Sequence, residues 1–273
     1  MSIVLAHSAS EPSGLDWLPV LLSIFATMAY LVAAARAGRT PTGWSPLRTA
    51  AFVTGMVLLA VALSPTMAAR AHHDIRVHMV QHLFVGMYAP LAITLAAPVT
   101  LLLRSAPLGS RRRVAAILRN RSLHLLGHPL TALLLNIGGL YLIYLTPLYA
   151  LATTNETAHI AVHVHVLAAG YLFTWSIAGP DPAPRRPGLA VRLTVLVVAG
   201  AAHSALAKLL YAQASHWPAG VTISPVATRD AAQLMYYGGD LAEVLLAVAL
   251  FAAWYRRRAR RVTAVPGEVA TPA

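Results

Sequence analysis

The chain has 273 residues, of which 58% are hydrophobic and 11% are charged, and its mean hydropathy is +0.63. Because soluble domains carry about 25% charged residues, this composition excludes an ordinary soluble protein and indicates a membrane protein. The net charge of +12 therefore does not predict a nucleic-acid partner. The chain has 12 histidines and no cysteine, which excludes disulfides and thiolate metal sites and leaves histidine and methionine as ligands for soft metals.

Seven apolar stretches follow one another along the chain, and each approaches the roughly 20 residues that a helix needs to cross a bilayer. Segments rich in proline and glycine separate several of them. We predict an all-α fold, a bundle of seven transmembrane helices over residues 17–255, with an extracytoplasmic N-terminal segment (1–16) and a basic cytoplasmic tail (256–273). The predicted spans, one to seven, are 17–35, 48–64, 77–103, 129–151, 157–178, 191–211 and 231–255.

The basic residues lie mainly at one end of this predicted bundle. All but four of the 21 lysine and arginine residues fall near the loops after spans one, three and five or in the C-terminal tail. Since positively charged loops stay in the cytoplasm, this asymmetry predicts that the N-terminus lies outside and the C-terminus inside. The arginine-rich loops also predict contact with anionic membrane lipid. The four exceptions are Arg70, Arg76, Lys208 and Arg229.

Two pairs of histidines have the i, i+4 spacing that places both imidazoles on one face of a helix. His78 and His82 lie in the first turns of span three, and His159 and His163 lie at the start of span five. With the predicted orientation, both pairs lie in the outer half of the membrane. Adjacent turns aim both rings at one point, and neutral imidazole is a ligand for copper, zinc, iron and nickel.

Further polar residues are predicted at about the same membrane depth as the two histidine pairs. His203 lies in the outer half of span six, and Asp240 of span seven lies roughly 14 Å from the outer end at the helical rise. Glu243 shares a helix face with Asp240 and is a candidate second acid. His165 points about 200° away from His163 around the helix, so we expect it to support the ligands or to face another helix. A carboxylate at this depth is costly and requires a partner.

Several kinds of site would satisfy these residues together. They are a metal site, a haem with two histidines as axial ligands, and a structural network of polar contacts between helices. Movement of protons or solutes is a further possibility, which Pro90 and Pro98 in span three keep open because they bend or break a helix. Nothing in the pattern indicates catalysis, so we expect a protein that is not an enzyme.

A set of short motifs extends along the chain from span two onward. They are HMVQH (78–82), AP (89–90), APVTLLLR (97–104), HIAVHVH (159–165), GYLF (170–173), GPDPAPRR (179–186), His203 and GGDL (238–241). Together these motifs resemble the CtaG-like family of cytochrome c oxidase assembly factors, which is associated with caa-type oxidases.

That resemblance implies a protein of the bacterial cytoplasmic membrane that delivers copper to the oxidase, with the oxidase subunits as its partners. An intramembrane haem-binding redox protein and a metal or solute transporter stay the alternatives. His159, His165 and Asp240 are predicted as further ligands or as partners that orient the ligating rings. The predicted copper ligands are His78, His82, His163 and His203.

Overall fold

The computed structural model describes residues 14–118, 120–183 and 186–263, and these residues form helices and no strand. The predicted all-α fold is therefore confirmed. Four helices are long and apolar enough to cross a membrane unaided, and they correspond to predicted spans one, five, six and seven. They are Leu18–Gly38, Glu156–Ala178, Leu189–Ala212 and Pro225–Thr263, the last of which meets this criterion over Pro225–Arg256.

The other three predicted spans are bent. Pro46–Ala62 continues into Pro65–His73 at 54°, Ile75–Leu95 into Pro98–Ser105 at 40°, and Pro129–Leu145 into Leu148–Thr154 at 77°. The prediction of seven spans holds when each bent pair is counted as one. A short 3-10 turn, Gly14–Trp17, precedes span one, and two short helices, Leu108–Leu118 and Arg121–Leu126, connect spans three and four.

Spans three and four each contain one widened turn. The segments Phe84–Tyr88 and Leu134–Gly138 are π-helical, and α-helix resumes at Ala89 and Gly139. Pro90 has no N–H group, so the carbonyl of Gly86 cannot receive the usual α-helical hydrogen bond from that position. Single π turns within helices are frequent at functional sites, and both of these turns border the same cavity, described below.

The bend in span three is fixed by a residue from a distant loop. Ala97 adopts a left-handed conformation with φ of 55°, and Pro98 begins the next helix. The buried carboxylate of Asp181 accepts hydrogen bonds from the Val99 N–H at 3.0 Å, the Thr100 N–H at 2.7 Å and the Thr100 hydroxyl at 2.6 Å. This carboxylate satisfies backbone donors that a helix start leaves without intrahelical partners.

Small residues allow the spans to approach closely. A Cβ on Gly170 of span five would collide with the carbonyl oxygen of Gly86 in span three, and a Cβ on Gly55 of span two would lie 2.6 Å from Ile93. Close backbone approach through small residues is the usual basis of helix packing in membranes. Span three consequently packs against spans two, five and seven, and the large apolar side chains that stay exposed are available to face lipid.

The structure differs from the prediction at some span ends. His72 and His73, expected in a loop, lie in the last turn of the helix Pro65–His73. The last helix continues to Thr263 and so includes the first residues of the predicted tail. Segments 1–13 and 264–273, together with Arg119, Pro184 and Arg185, lie outside the described residues.

Candidate functional site

Four histidines from three spans gather near one end of the bundle, and we call them the peripheral cluster: His72, His78, His159 and His163. The ring centres of His159 and His163 are 4.3 Å apart, and the ring of His72 stacks on His159 at 5.0 Å. His163 Nδ1 lies 3.0 Å from the carbonyl oxygen of His159. Donation to that carbonyl places the proton on Nδ1 and leaves Nε2 with the lone pair that binds a metal.

The fourth ring of the peripheral cluster, His78, is held by tyrosines. It packs edge-on against Tyr149 at 5.0 Å and against Tyr144 at 6.4 Å between ring centres. All four histidines line one cavity of about 20 Å³. A water needs roughly 10–15 Å³ by the same measure, so this cavity has room for about one water molecule or one ion.

A second group lies deeper, between spans three, six and seven, and we call it the central cluster: His82, His203 and Glu243. His203 has no exposed surface. Both of its ring nitrogens and Nε2 of His82 are buried without a hydrogen-bond partner in the described part of the chain. The three side chains line a cavity of about 30 Å³, together with Asn136. Its walls therefore include imidazole nitrogens with unmet bonding capacity.

The carboxylate nearest His203 belongs to Glu243. Its Oε1 lies 3.8 Å from His203 Nδ1, too long for a hydrogen bond and within reach of an ion pair if the ring is protonated. Asp240 instead accepts a hydrogen bond from Ser204 Oγ at 3.0 Å, and it is not among the residues that line the central cavity. The structure therefore places Asp240 against Ser204 and brings Glu243 to the cavity.

His165 lies apart from both clusters. Its Nε2 is 3.1 Å from the carbonyl oxygen of Leu135 in the π turn of span four. It packs so closely there that a Cβ on Gly139 would lie 2.5 Å from that nitrogen. This placement confirms that the side chain faces another helix.

Tyr144 connects the two clusters. Its ring is edge-on to His78 at 6.4 Å and to His82 at 6.3 Å between ring centres, and its hydroxyl lies 3.9 Å from the sulfur of Met79. Both Tyr144 and Met79 are almost fully buried. The i, i+4 pair on span three is thus divided between the clusters, with one histidine in each, whereas the pair on span five stays together.

Glycines make room for the central cluster. A Cβ on Gly239 would collide with the ring of His203, and a Cβ on Gly200 would collide with the Glu243 carboxylate. A Cβ on Gly86 would lie 3.5 Å from the His82 ring. Two of the three polar side chains therefore occupy space that only glycine leaves free.

The side chains are close but not arranged around one point. Within the described ranges, no group of three or more histidine, aspartate or glutamate residues has the geometry to hold one metal ion. Neighbouring pairs are present in both clusters. Ligation by three residues would therefore require side chains to rotate toward a common centre.

Three residues that line the two cavities were not among the predicted site residues: His72, Asn136 and Glu243. His72 was expected in a loop, because the short polar helix that holds it has no apolar periodicity to reveal it. Asn136 is a polar residue within an apolar span, and this signal was present in the sequence. Glu243 was predicted as a candidate second acid, but its approach to His203 was not, since the glycine-lined gap beside that ring arises from packing between spans.

Fold and site together define a class: a polytopic α-helical membrane protein with histidine-lined cavities between its spans. Residues 28–257 match the family described as cytochrome c oxidase caa3 assembly factor (Caa3_CtaG), and the chain belongs to that family. The family resemblance stated from the sequence motifs is thereby confirmed.

Relatives among curated proteins are mycobacterial and uncharacterized. ML1998 of Mycobacterium leprae is 28% identical over 244 residues, which are 84% of this chain and 37% of that protein. Mb0105 of Mycobacterium bovis and MT0111 of Mycobacterium tuberculosis are each 34% identical over 155 residues, 54% of this chain and 23% of those proteins. The chain thus spans well under half the length of these relatives. No solved structure matches it.

Proposed function

We propose that the protein binds copper as its cargo in the central cluster and supports delivery of that copper to cytochrome c oxidase. The observation that carries the proposal is the environment of His203. Its two ring nitrogens are buried without partners beside His82 and Glu243. Leaving a buried polar atom unsatisfied costs about 1–3 kcal/mol, and an incoming ion offsets that cost. The family is described as an oxidase assembly factor, and we expect this member to act by binding and not as an enzyme.

The chemistry of the donors fits copper. The central cluster offers two neutral imidazoles, one carboxylate and no thiolate, and imidazole binds copper and zinc well. Copper lies above zinc in the general affinity order, and the family resemblance implies copper as the cargo. The peripheral cluster supplies an entrance of the same chemistry nearer the end of the bundle.

The arginine distribution gives the direction of delivery. The positive-inside rule places the arginine-rich loops in the cytoplasm of a bacterial cell and the peripheral cluster at the opposite, outer surface of its cytoplasmic membrane. Copper would then enter and leave on the outer side, and the oxidase subunits would bind there.

The dimensions of the cavity weigh against the haem alternative. A space of about 30 Å³ holds about two water molecules, and a porphyrin is many times larger. One observation favours the transporter alternative: bent spans and π turns border the central cavity. Irregular backbone at membrane depth commonly lines transport sites. A measurement of copper uptake by proteoliposomes distinguishes the two functions, because a transporter carries copper across the membrane and a delivery protein binds and releases it at one surface.

The decisive experiment is copper analysis of the detergent-purified full chain after loading with Cu(I) and washing, with an optical spectrum to detect haem. The double variant His82→Ala, His203→Ala is expected to lose the bound copper. Because loss of two buried rings also leaves cavities, the midpoint of thermal unfolding is measured for every variant alongside its copper content. The matched control is His165→Ala, which removes an intramembrane histidine outside both clusters.

Stoichiometric copper in the wild type and the control, with none in the double variant, supports the proposal. Copper-free wild-type protein overturns it, as does a double variant that retains its copper. A Soret band in the purified protein would establish the haem alternative instead.

A further inference from the structure

Two arginines converge on one indole at the arginine-rich end of the bundle. Arg48 Cζ lies 5.0 Å and Arg104 Cζ 5.6 Å from the ring centre of Trp44. Arg48 begins span two and Arg104 ends span three, so three separate parts of the chain meet here. Each guanidinium gains a cation–π contact, but two like charges at one ring repel each other. The arrangement favours an anion that contacts both.

The indole is held rigidly. Trp44 Nε1 donates to the hydroxyl of Tyr30 at 3.3 Å, and that hydroxyl donates to the carbonyl of Ala96 at 2.8 Å. The Tyr30 ring is stacked on Phe52 with centres 3.9 Å apart. The aromatic surface beneath the two arginines is therefore preorganised by spans one, two and three, and it does not depend on a ligand to form.

The protein supplies no counterion at this place. None of the ion pairs among the described residues involves Arg48 or Arg104. Asp181 is the one carboxylate within the described loops of the arginine-rich end, and its oxygens are committed to Val99 and Thr100. Arg104 donates one N–H to the carbonyl of Gly43, which orients the group without neutralising it. An anion must come from outside the chain.

A groove of about 730 Å³ lies between spans one and two, and Trp44, the residue that both arginines contact, forms part of its lining. Trp44 forms one of its ends, and Leu31, Ala50 and Val53 contribute apolar walls. A hydrocarbon chain lying in this groove would place its headgroup at Trp44, because aromatic and cationic side chains occupy the level of the headgroups at a membrane interface. The groove and the charges together fit one amphipathic molecule.

We propose that this is a binding site for one anionic phospholipid, with its phosphate between Arg48 and Arg104 and an acyl chain in the groove between spans one and two. The site lies at the opposite end of the bundle from the peripheral cluster and is independent of copper. By joining the ends of spans one, two and three, the bound lipid would stabilise the bend that follows Leu95.

The test is lipid binding by native mass spectrometry of the delipidated full chain. The probes are phosphatidylglycerol, phosphatidylcholine with the same acyl chains, and inorganic phosphate. We expect one molecule of phosphatidylglycerol to bind ahead of phosphatidylcholine. The double variant Arg48→Gln, Arg104→Gln should weaken that binding roughly tenfold or more, since each basic group near an anionic lipid contributes appreciably. The control, Arg112→Gln with Arg113→Gln, removes two exposed charges elsewhere on the same end and should bind normally.

A second pair of variants tests the groove while keeping both arginines. Ala50→Phe fills the groove and should also weaken binding, whereas Val57→Phe, exposed on the same helix outside the groove, should not. Equal affinity for phosphatidylcholine overturns the proposal. Three other results would also overturn it. They are full competition by inorganic phosphate for the site, an equal loss of phosphatidylglycerol binding in both arginine double variants, and unchanged binding in Ala50→Phe.

Discussion

His203 Nδ1 lies 3.8 Å from Glu243 Oε1, and this pairing joins spans six and seven at the central cluster. The distance leaves a gap that a bound ion can bridge and that a direct hydrogen bond would close. Glu243 is therefore the carboxylate expected to respond to an ion at His203, whereas Asp240 is already bonded to Ser204.

A first prediction separates these two acids. Glu243→Gln keeps the size of the side chain but removes its charge, and we expect copper affinity to fall by about 10–100-fold, the range typical of groups that support a metal ligand. Asp240→Asn should have the smaller effect. Copper titration of the purified variants gives both numbers. A larger loss in Asp240→Asn would contradict the placement of the acids.

A second prediction concerns adjacent glycines. Gly239→Ala places a methyl group against the ring of His203, whereas Gly238→Ala meets only the tip of the flexible Leu83 side chain. Overpacking of a filled core costs about 1–3 kcal/mol. Gly239→Ala should therefore lower both the midpoint of thermal unfolding and the copper content, with little change in Gly238→Ala. Equal behaviour of the two variants would show that the His203 ring yields easily.

A third prediction tests the peripheral cluster with neighbouring histidines. His72 stacks on His159, whereas its neighbour His73 is exposed and has no ring contact in the described structure. If the peripheral cluster is the entrance, His72→Ala slows copper loading while leaving the final copper content unchanged. His73→Ala is the control and should load at the wild-type rate in a stopped-flow competition with a chromogenic copper chelator. A rate unaffected by His72→Ala would remove this cluster from the loading route.

A fourth prediction compares two helix caps. Asp181→Ala leaves the buried donors of Val99 and Thr100 without an acceptor, and each hydrogen bond to a charged group contributes about 1.5–3 kcal/mol. Asp74 also caps a helix, but its side chain is partly exposed, and hydrogen bonds from Arg76 lower its pKa. Thermal unfolding in detergent should show a much larger loss for Asp181→Ala than for Asp74→Ala. Equal losses would mean that the bend after Ala97 is held by packing alone.

The fold could be predicted because hydropathy and arginine distribution depend on composition along each segment. The bends could not. The helix after Pro98 depends on Asp181, which is more than 80 residues away and belongs to a loop whose packing no local pattern reveals. The helix Pro65–His73 is short and polar, so its histidines were taken for loop residues.

The sequence was sufficient to name most histidines of the candidate site, but not to predict how they divide between two cavities. The i, i+4 spacing of His78 and His82 correctly indicates a shared helix face, but the two rings line different cavities, and the ring of Tyr144 is edge-on to both. The direction of His165 was correct because it follows from helix geometry alone. The proximity of Glu243 to His203 depends on two glycines in different spans, a relation that one sequence does not reveal.

Gly170 of span five and the carbonyl of Gly86 in span three approach closely at one wall of the central cavity. Main-chain atoms make this contact, so the rotation of a side chain cannot widen the gap between spans three and five. Rotamer changes take picoseconds to nanoseconds, whereas displacement of packed helices takes about microseconds to milliseconds. Exit past this wall of an ion bound as we propose would therefore require spans three and five to move apart as units.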